Sequence, residues 1–216
     1  MTYLEIVNNI LVRLRETQVS SVTDTPYSTL IGVMVNDAKR EIEDAHKWEA
    51  LRTTVVIPSV SGTTDYSITG SGQRFKEDMV INDTANTPMQ KASRDWILTQ
   101  RYTVDVEPTG IPYYYAFNGI DGSSDTKLTV FPKPDGVYSM RVSLFIPQAD
   151  LTNNADVIKV PGHLLQLLGY AKAISERGED GGTSFNEVYQ QYRLALADAI
   201  AIEAERHDEQ LVWSEV

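Results

Sequence analysis

The sequence predicts an α+β fold: a four-helix bundle of two N-terminal and two C-terminal helices, an inserted antiparallel β subdomain, and an extended C-terminal tail. Three observations support this prediction. Apolar residues recur at helical spacing near both ends of the chain. The middle is rich in β-branched residues and is punctuated by glycines. The last residues are acidic and apolar without a helical pattern.

The two N-terminal helices are expected within residues 1–52. The second should begin at Asp24-Thr25-Pro26, where a capping residue precedes a proline at the first helical position, and should end near Ala50. The first helix has its apolar line at Leu4, Val7, Leu11 and Leu14. The second has its line at Leu30, Met34, Ala38, Ile42, Ala45 and Trp48.

The β insertion is expected over residues 53–159, with a short helix near 93–102 that Ser93 caps. The clearest strand alternates apolar and polar residues from Tyr138 to Ile146. It is predicted to form an antiparallel hairpin with residues 128–131 through Pro134-Asp135-Gly136.

A further strand is expected around Tyr113-Tyr114-Tyr115, which would place aromatic rings on both of its faces. Two interpretations stay open. The strand is buried on both sides, or at least one ring faces something other than its own core.

The two C-terminal helices are expected within residues 160–207, separated by Gly178 to Gly182, and the tail within 208–216. Leu211, Val212 and Trp213 follow acidic residues in that tail. Such a segment either docks into a groove of a partner, with the tryptophan as its anchor, or folds back on its own helices.

The composition indicates an ordinary soluble protein, with 42% apolar and 23% charged residues among 216. We expect a cytoplasmic site of synthesis, since the start resembles no signal peptide and no apolar run approaches a membrane span. Disulfides and thiolate sites are excluded because the chain has no cysteine. The net charge is −11, and residues 176–216 contain ten acidic and three basic side chains, which argues against gripping nucleic acid.

One stretch has the spacing of a metal site. Glu43-Asp44-Ala45-His46 matches the Glu-x-x-His pattern of di-iron helical bundles. A second such pair is missing, because neither His163 nor His207 has a glutamate three residues before it. We therefore favour a charged helix flank, and keep a carboxylate and histidine metal-binding helical enzyme as the alternative.

The other short motifs have plainer interpretations. Glu203 and His207, four residues apart, suit a pair on one helical face. Asp83-Thr84-Ala85 is interpreted as a hairpin turn and not as an aspartic-protease loop, and Gly70-Ser71-Gly72 as a turn because the third glycine of a dinucleotide site is absent. The sequence thus predicts no catalysis, no cofactor and no metal.

The N-terminal region resembles the head-to-tail adaptor proteins (portal-binding connectors, similar to tail tubular A proteins) of short-tailed bacteriophages, the podoviruses. The resemblance is strongest over residues 1–55. Over the rest of the chain it lies only in the arrangement of the β region and the last two helices. It lies in four stretches: Leu4 to Glu16, Val19-Ser20-Ser21-Val22, Asn36 to Ala45 with Trp48, and Leu51-Arg52-Thr53-Thr54.

This resemblance implies a structural virion protein of the head-tail junction, assembled in the host bacterial cytoplasm. Such adaptors form a twelve-membered ring beneath the portal protein and provide the platform for the tail nozzle protein. Their C-terminal extension reaches the portal, which would correspond here to Leu211, Val212 and Trp213. DNA would pass through the ring without specific binding, and the net negative charge of the chain agrees with that passage.

Ring closure needs complementary flanks on each subunit. The second helix has charges of both signs that could provide inter-subunit contacts, which set register more than affinity. The residues in question are Lys39, Arg40, Glu43, Asp44 and Lys47. Two other structural interpretations remain: a connector or tail-completion protein of a long-tailed phage, and a non-viral binding module that uses the tail as a peptide ligand.

Overall fold

A computed structural model describes residues 1–178 and 183–206. The chain forms two compact units. The helical unit comprises residues 1–51 together with the chain from 147 onward, and the β unit comprises residues 52–146. Residues 147–159 therefore lie with the helices. The predicted tail, and with it Leu211, Val212 and Trp213, lies outside the described residues.

The helices begin where the sequence supplies capping side chains. Thr2 and Thr25 each form a reciprocal capping box with the third residue of the helix that follows, and Ser93 accepts a hydrogen bond from the Trp96 N–H. No helix among the described residues has both the length and the apolar character that crossing a bilayer requires. The five α-helices are α1 (Tyr3–Arg13), α2 (Pro26–Ala45), α3 (Arg94–Tyr102), α4 (Gly162–Arg177) and α5 (Thr183–Arg206).

The predicted α+β class is confirmed, but the predicted four-helix bundle is wrong. The described residues contain five helices and two four-stranded sheets. Within the helical unit α4 packs against α1, α2 and α5, whereas α5 packs chiefly on α4. The physical reason is that α4 makes the contacts with α1 and α2, so that α5 reaches the core chiefly through α4. Tyr192 is the only fully buried side chain of α5 among those described, and the apolar residues half-buried on the same side of the helix are Tyr189, Ala195, Leu196, Ala199 and Ile200.

The core of α2 follows the predicted line only in part. Ala38 and Ile42 are buried as predicted, and so is Trp48 beyond the helix, but Ile31 and Val35 are buried in the first half and Ala45 is exposed at the end of the helix. Leu30 and Met34 are half-buried. Close packing of α2 depends on a glycine, because a Cβ at Gly32 would lie 2.4 Å from the Tyr3 hydroxyl.

Two sheets face each other in the β unit. The first has the strand order β1-β8-β3-β4 and is antiparallel throughout. The second has the order β2-β7-β6-β5, in which β5 runs parallel to β6. The strands are β1 (Arg52–Pro58), β2 (Asp65–Ser67), β3 (Lys76–Asn82), β4 (Thr87–Pro88), β5 (Gln90–Lys91), β6 (Tyr114–Ile120), β7 (Thr126–Phe131) and β8 (Ser139–Phe145).

The predicted hairpin between residues 128–131 and 138–146 is wrong. β7 and β8 belong to different sheets, and residues 132–138 carry the chain from one sheet to the other. Their apolar residues meet across the sandwich: Met140, Val142 and Leu144 of β8 share a core with Leu128 and Val130 of β7. The opposite face of the second sheet packs against Ile97 of α3.

Candidate functional site

Two of the five residues predicted to make inter-subunit contacts are buried inside their own chain. Lys39 and Glu43 form an ion pair at 3.4 Å, with side chains 1% and 0% exposed. The Lys39 ammonium also donates to the carbonyl oxygen of Gln148 at 2.5 Å, and the Gln148 N–H donates to Glu43 at 3.1 Å. The pair therefore fixes the segment where the chain re-enters the helical unit.

Neighbouring side chains of α2 hold the same segment. Asn36 donates to the carbonyl oxygen of Leu151 and accepts from its N–H, at 3.1 and 2.9 Å. Arg40 pairs with Asp150 one residue earlier. Residues 36, 39, 40 and 43 recur every three or four positions, so they lie on one side of α2. That side of the helix binds the chain segment at residues 148–151.

The remaining three predicted contact residues lie nearer solvent. Arg40 is half-buried, and Asp44 and Lys47 are exposed. The inter-subunit role thus stays a prediction for Arg40, Asp44 and Lys47, whereas Lys39 and Glu43 have no exposed surface to offer.

The Glu-x-x-His stretch does not form a ligand set. Glu43 is engaged by the Lys39 ammonium, and His46 lies edge-on to Trp48 with ring centroids 5.2 Å apart. Glu203 accepts from the backbone N–H of Glu49 at 2.9 Å, and its predicted partner His207 lies outside the described residues. Within residues 1–178 and 183–206, no three His, Asp or Glu side chains cluster in a way that could hold a metal.

The turn interpretations agree with the geometry. Asp83 follows β3 in the connection to β4 and pairs with Arg141 at 2.8 Å. The N–H groups of Gly70 and Gly72 both donate to the carboxylate of Asp125, at 3.0 and 2.9 Å. That carboxylate belongs to the chain itself, so the glycines serve a loop contact.

The three consecutive tyrosines differ in their surroundings. Tyr115 is buried, Tyr114 is half-buried and packs near Trp96, and Tyr113 is exposed. Burial and the hydrogen bond to the Glu77 carboxylate raise the pKa of Tyr115. β6 begins at Tyr114 and is packed on both faces, with Tyr115 in the core between the sheets and Tyr114 beside Ile97 of α3. The interpretation in which the strand is buried on both sides is therefore correct, and the exposed Tyr113 lies in the connection before the strand.

Sequence reasoning missed a surface on α5 that we call the α5 open face. Leu194 is 69% exposed there, and Ala197 and Ala201 lie beside it on the same side of the helix. Three exposed carboxylates flank them: Glu187, Asp198 and Glu205. The sequence did indicate this surface, because Leu194, Ala197 and Ala201 are apolar but do not belong to the side of the last helix that was predicted to face the core.

A second surface, which we call the loop end, lies on the β unit. It is the end of the sandwich made by four connections: residues 59–64, 83–86, 103–113 and 132–138. Cross-hydrogen bonds join these connections, such as Gly62 N–H to the carbonyl oxygen of Pro134 at 2.8 Å. Exposed apolar side chains concentrate here, and alternation within strands could not reveal them because they lie on loops.

Comparison with known proteins places the chain in a family. The family model described as SU10 adaptor protein matches residues 1–214. A search of curated proteins found no match. The family is that of a structural adaptor of bacteriophages, whose members associate with other virion components. Since the match covers nearly the whole chain, the protein belongs to the SU10 adaptor protein family.

Proposed function

We propose that this protein is the head-to-tail adaptor of a short-tailed bacteriophage. Twelve copies form a ring between the portal protein and the tail nozzle protein, at the head-tail junction of the virion, after assembly in the host bacterial cytoplasm. DNA passes through the channel of the ring without specific binding. Membership of the adaptor family supports the virion role, and the α5 open face is the structural observation that favours a ring.

The α5 open face suits contact with another copy of the helical unit. Leu194 is 69% exposed, and the exposed Ala197 and Ala201 lie on the same side of α5, so the three form an apolar strip and not a singly scattered side chain. At the end of α1 the exposed Val12 is followed by the exposed Arg13 and, beyond the helix, by the exposed Arg15, so the helical unit also presents an apolar residue beside positive charge. An acidic apolar face and a basic apolar face on different helices are complementary, as a heterologous contact requires.

Heterologous contacts of this kind generate closed rings when the rotation between neighbours closes. An isologous contact through the α5 open face would instead bring Glu187, Asp198 and Glu205 of two copies together. That arrangement is disfavoured because like charges repel. The charge distribution therefore favours a ring over a two-fold dimer.

The net charge of −11 supports passage of DNA in preference to capture. Affinity for the DNA backbone comes mainly from lysine and arginine contacts to phosphates, which release counterions. The chain has 30 acidic against 19 basic residues and so offers few uncompensated cations.

The C-terminal segment is proposed to bind the portal. Leu211, Val212 and Trp213 supply an apolar anchor within an acidic stretch, and aromatic anchors dominate the affinity of many protein contacts. These residues lie outside the described part of the chain, so the proposal rests on their sequence and on the resemblance to phage adaptors.

Sedimentation velocity tests the proposal with the full chain, a chain that ends at Arg206, and Leu194→Asp. The full chain should co-sediment with the portal ring of the same phage at a fixed ratio, and the truncated chain should not. Leu194→Asp should weaken self-association by about tenfold or more, and the matched control Val157→Asp, also exposed in the helical unit, should not.

No association with the portal at any ionic strength would contradict the adaptor role. Equal self-association of Leu194→Asp and the full chain would remove the α5 open face from the ring contact. A connector of a long-tailed phage would also bind a portal, but it would pair with a tail-completion protein and not with a nozzle, which the same experiment distinguishes when each is added in turn.

A further inference from the structure

The loop end exposes more apolar surface than any other part of the β unit that the structure describes. Val106 is 80% exposed and Val137 71%, whereas the opposite end of the sandwich exposes Ile120 at 48%. Solvent-exposed apolar side chains scattered singly are ordinary, but a concentration on neighbouring loops marks a contact surface. The exposed apolar side chains at the loop end are Val60, Val104, Val106, Tyr113 and Val137.

Strand directions place these residues together. β1 ends and β8 begins at the loop end, where Pro58 pairs with Ser139. The chain enters and leaves the β unit at the other end of the same two strands, where Arg52 pairs with Phe145. The loop end is thus the end of the sandwich opposite the one at which the chain enters β1 and leaves β8.

Backbone hydrogen bonds between the connections hold the loop end in shape. The Gly110 N–H donates to the carbonyl oxygen of Lys133 at 2.9 Å, and the Lys133 N–H donates to that of Pro108 at 3.0 Å. Ser59 is buried and bonds to the backbone of both Gly136 and Tyr138. Because the loops are already ordered by these bonds, a partner would lose little conformational entropy in fixing them.

The uncompensated charge at the loop end is negative. Asp83 pairs with Arg141, and Glu107 pairs with Lys133 at 3.1 Å and with the buried Arg101 at 3.2 Å. Asp105 and Asp135 have no cationic partner within the described residues. Asp135 accepts the hydroxyl of Tyr138 and thereby raises the pKa of that tyrosine.

This combination restricts the partner. A DNA backbone would meet carboxylates and valines, neither of which binds phosphate. A second copy of the chain is, in the proposed ring, already engaged through the α5 open face and α1. A protein surface with an apolar centre and flanking lysines or arginines would cover the valines and neutralise Asp105 and Asp135.

We infer that the loop end is the docking surface for a second virion protein of this chemistry. The inference rests on the proposed function, in which the portal is bound by the C-terminal segment. The partner for the loop end is therefore the tail nozzle protein. Val106 and Val137 insert into its apolar surface, and Asp105 and Asp135 face its basic rim.

Biolayer interferometry with purified nozzle protein, and separately with the portal ring, tests the inference on the full chain. The double variant Val106→Asp Val137→Asp should bind the nozzle protein at least about 30-fold more weakly. The matched control Ile120→Asp, at the opposite end of the same unit, should change nozzle affinity by less than about threefold. All variants should bind the portal as the unchanged chain does.

A second pair of variants tests the charged rim. Asp105→Lys Asp135→Lys should slow association with the nozzle protein by about tenfold or more and weaken its dependence on salt concentration. Circular dichroism spectra that match those of the unchanged chain would show that the variants fold.

Several results would overturn the inference. Unchanged nozzle affinity of the valine double variant would do so, and so would an unchanged chain that binds the portal but not the nozzle protein. Binding to neither protein would remove the proposed function as well. Valine-dependent binding to phosphatidylcholine vesicles, or weaker self-association of the double variant, would assign the loop end to a lipid surface or to a neighbouring copy instead.

Discussion

The helical unit and the β unit expose apolar side chains in different ways. The helical unit presents the α5 open face, a regular surface on one helix with Leu194 at its centre. The β unit presents the loop end, where separate loops place single valines and tyrosines side by side. A regular helical face suits repeated contact with identical neighbours, whereas loops can be shaped to an irregular surface of a different protein.

Individual ion pairs of the two units also differ in burial. The helical unit contains exposed pairs such as Arg40–Asp37 and the fully buried pair Lys39–Glu43, while the Arg141–Asp83 pair of the β unit is partly exposed, with side-chain exposures of 47% and 29%. A buried pair is costly to break from one side, and an exposed pair contributes little. We therefore expect similar substitutions at these two pairs to change the free energy of unfolding by very different amounts.

The largest effect is expected for Glu43→Gln. The glutamine can still accept from the Gln148 N–H, but the buried Lys39 ammonium loses its counter-charge, which costs about 3 to 5 kcal/mol of unfolding free energy. Urea unfolding of the full chain, followed by circular dichroism, measures it. Adding Lys39→Met should restore part of the loss; a double variant less stable than the single would contradict the buried-pair account.

A smaller effect is expected for Gly32→Ala on α2. The new Cβ would lie 2.4 Å from the Tyr3 hydroxyl and 2.7 Å from Val22 Cγ1, so the packing of α1 on α2 must shift. Overpacking of this kind costs about 1 to 3 kcal/mol. Gly122→Ala in the β unit is the matched control, because a Cβ there meets nothing within 4 Å. Equal melting temperatures for the two variants would show that α1 and α2 pack less closely.

The smallest effect is expected for Asp83→Asn in the β unit. It removes the charge partner of Arg141 at a partly exposed site, and such pairs contribute about 0 to 1 kcal/mol. Thermal unfolding should show a small loss of stability relative to the unchanged chain at low salt and a still smaller loss at high salt, because salt screens a partly exposed pair. A loss as large as that of Glu43→Gln would erase the distinction between the two pairs.

Local chemistry made several features predictable. Thr25 and Pro26 mark the start of α2, and Ser93 caps α3, because capping depends on neighbouring residues alone. The alternation from Met140 to Leu144 correctly shows which side of β8 is buried. The α+β class follows from such patterns.

Which strands pair, and which residues distant in sequence come into contact, could not be predicted in the same way. Alternation shows that β7 and β8 each bury one side, but it does not show whether they pair edge to edge or face each other across a sandwich. The turn at Pro134-Asp135-Gly136 suits a hairpin locally, yet the core places the two strands in different sheets. The burial of Lys39 likewise depends on Gln148, more than a hundred residues away in sequence.

The interaction surfaces were the least predictable. The four-helix bundle was expected because both ends of the chain have helical periodicity, but periodicity does not show that α5 packs chiefly on α4. α5 does turn one apolar side inward, and Leu194 and Ala201 lie outside that line, so they were not considered. At the loop end, Val106 and Val137 belong to connections that no periodic pattern describes.

In the proposed role the protein joins two other virion proteins. Sedimentation velocity of the portal ring and the nozzle protein, with and without the full chain, measures this bridging. We expect one fast boundary that contains all three proteins and that forms only when this protein is present. Joint sedimentation of the portal and the nozzle protein without this protein, or binding of this protein to neither, would show that it is not the bridge.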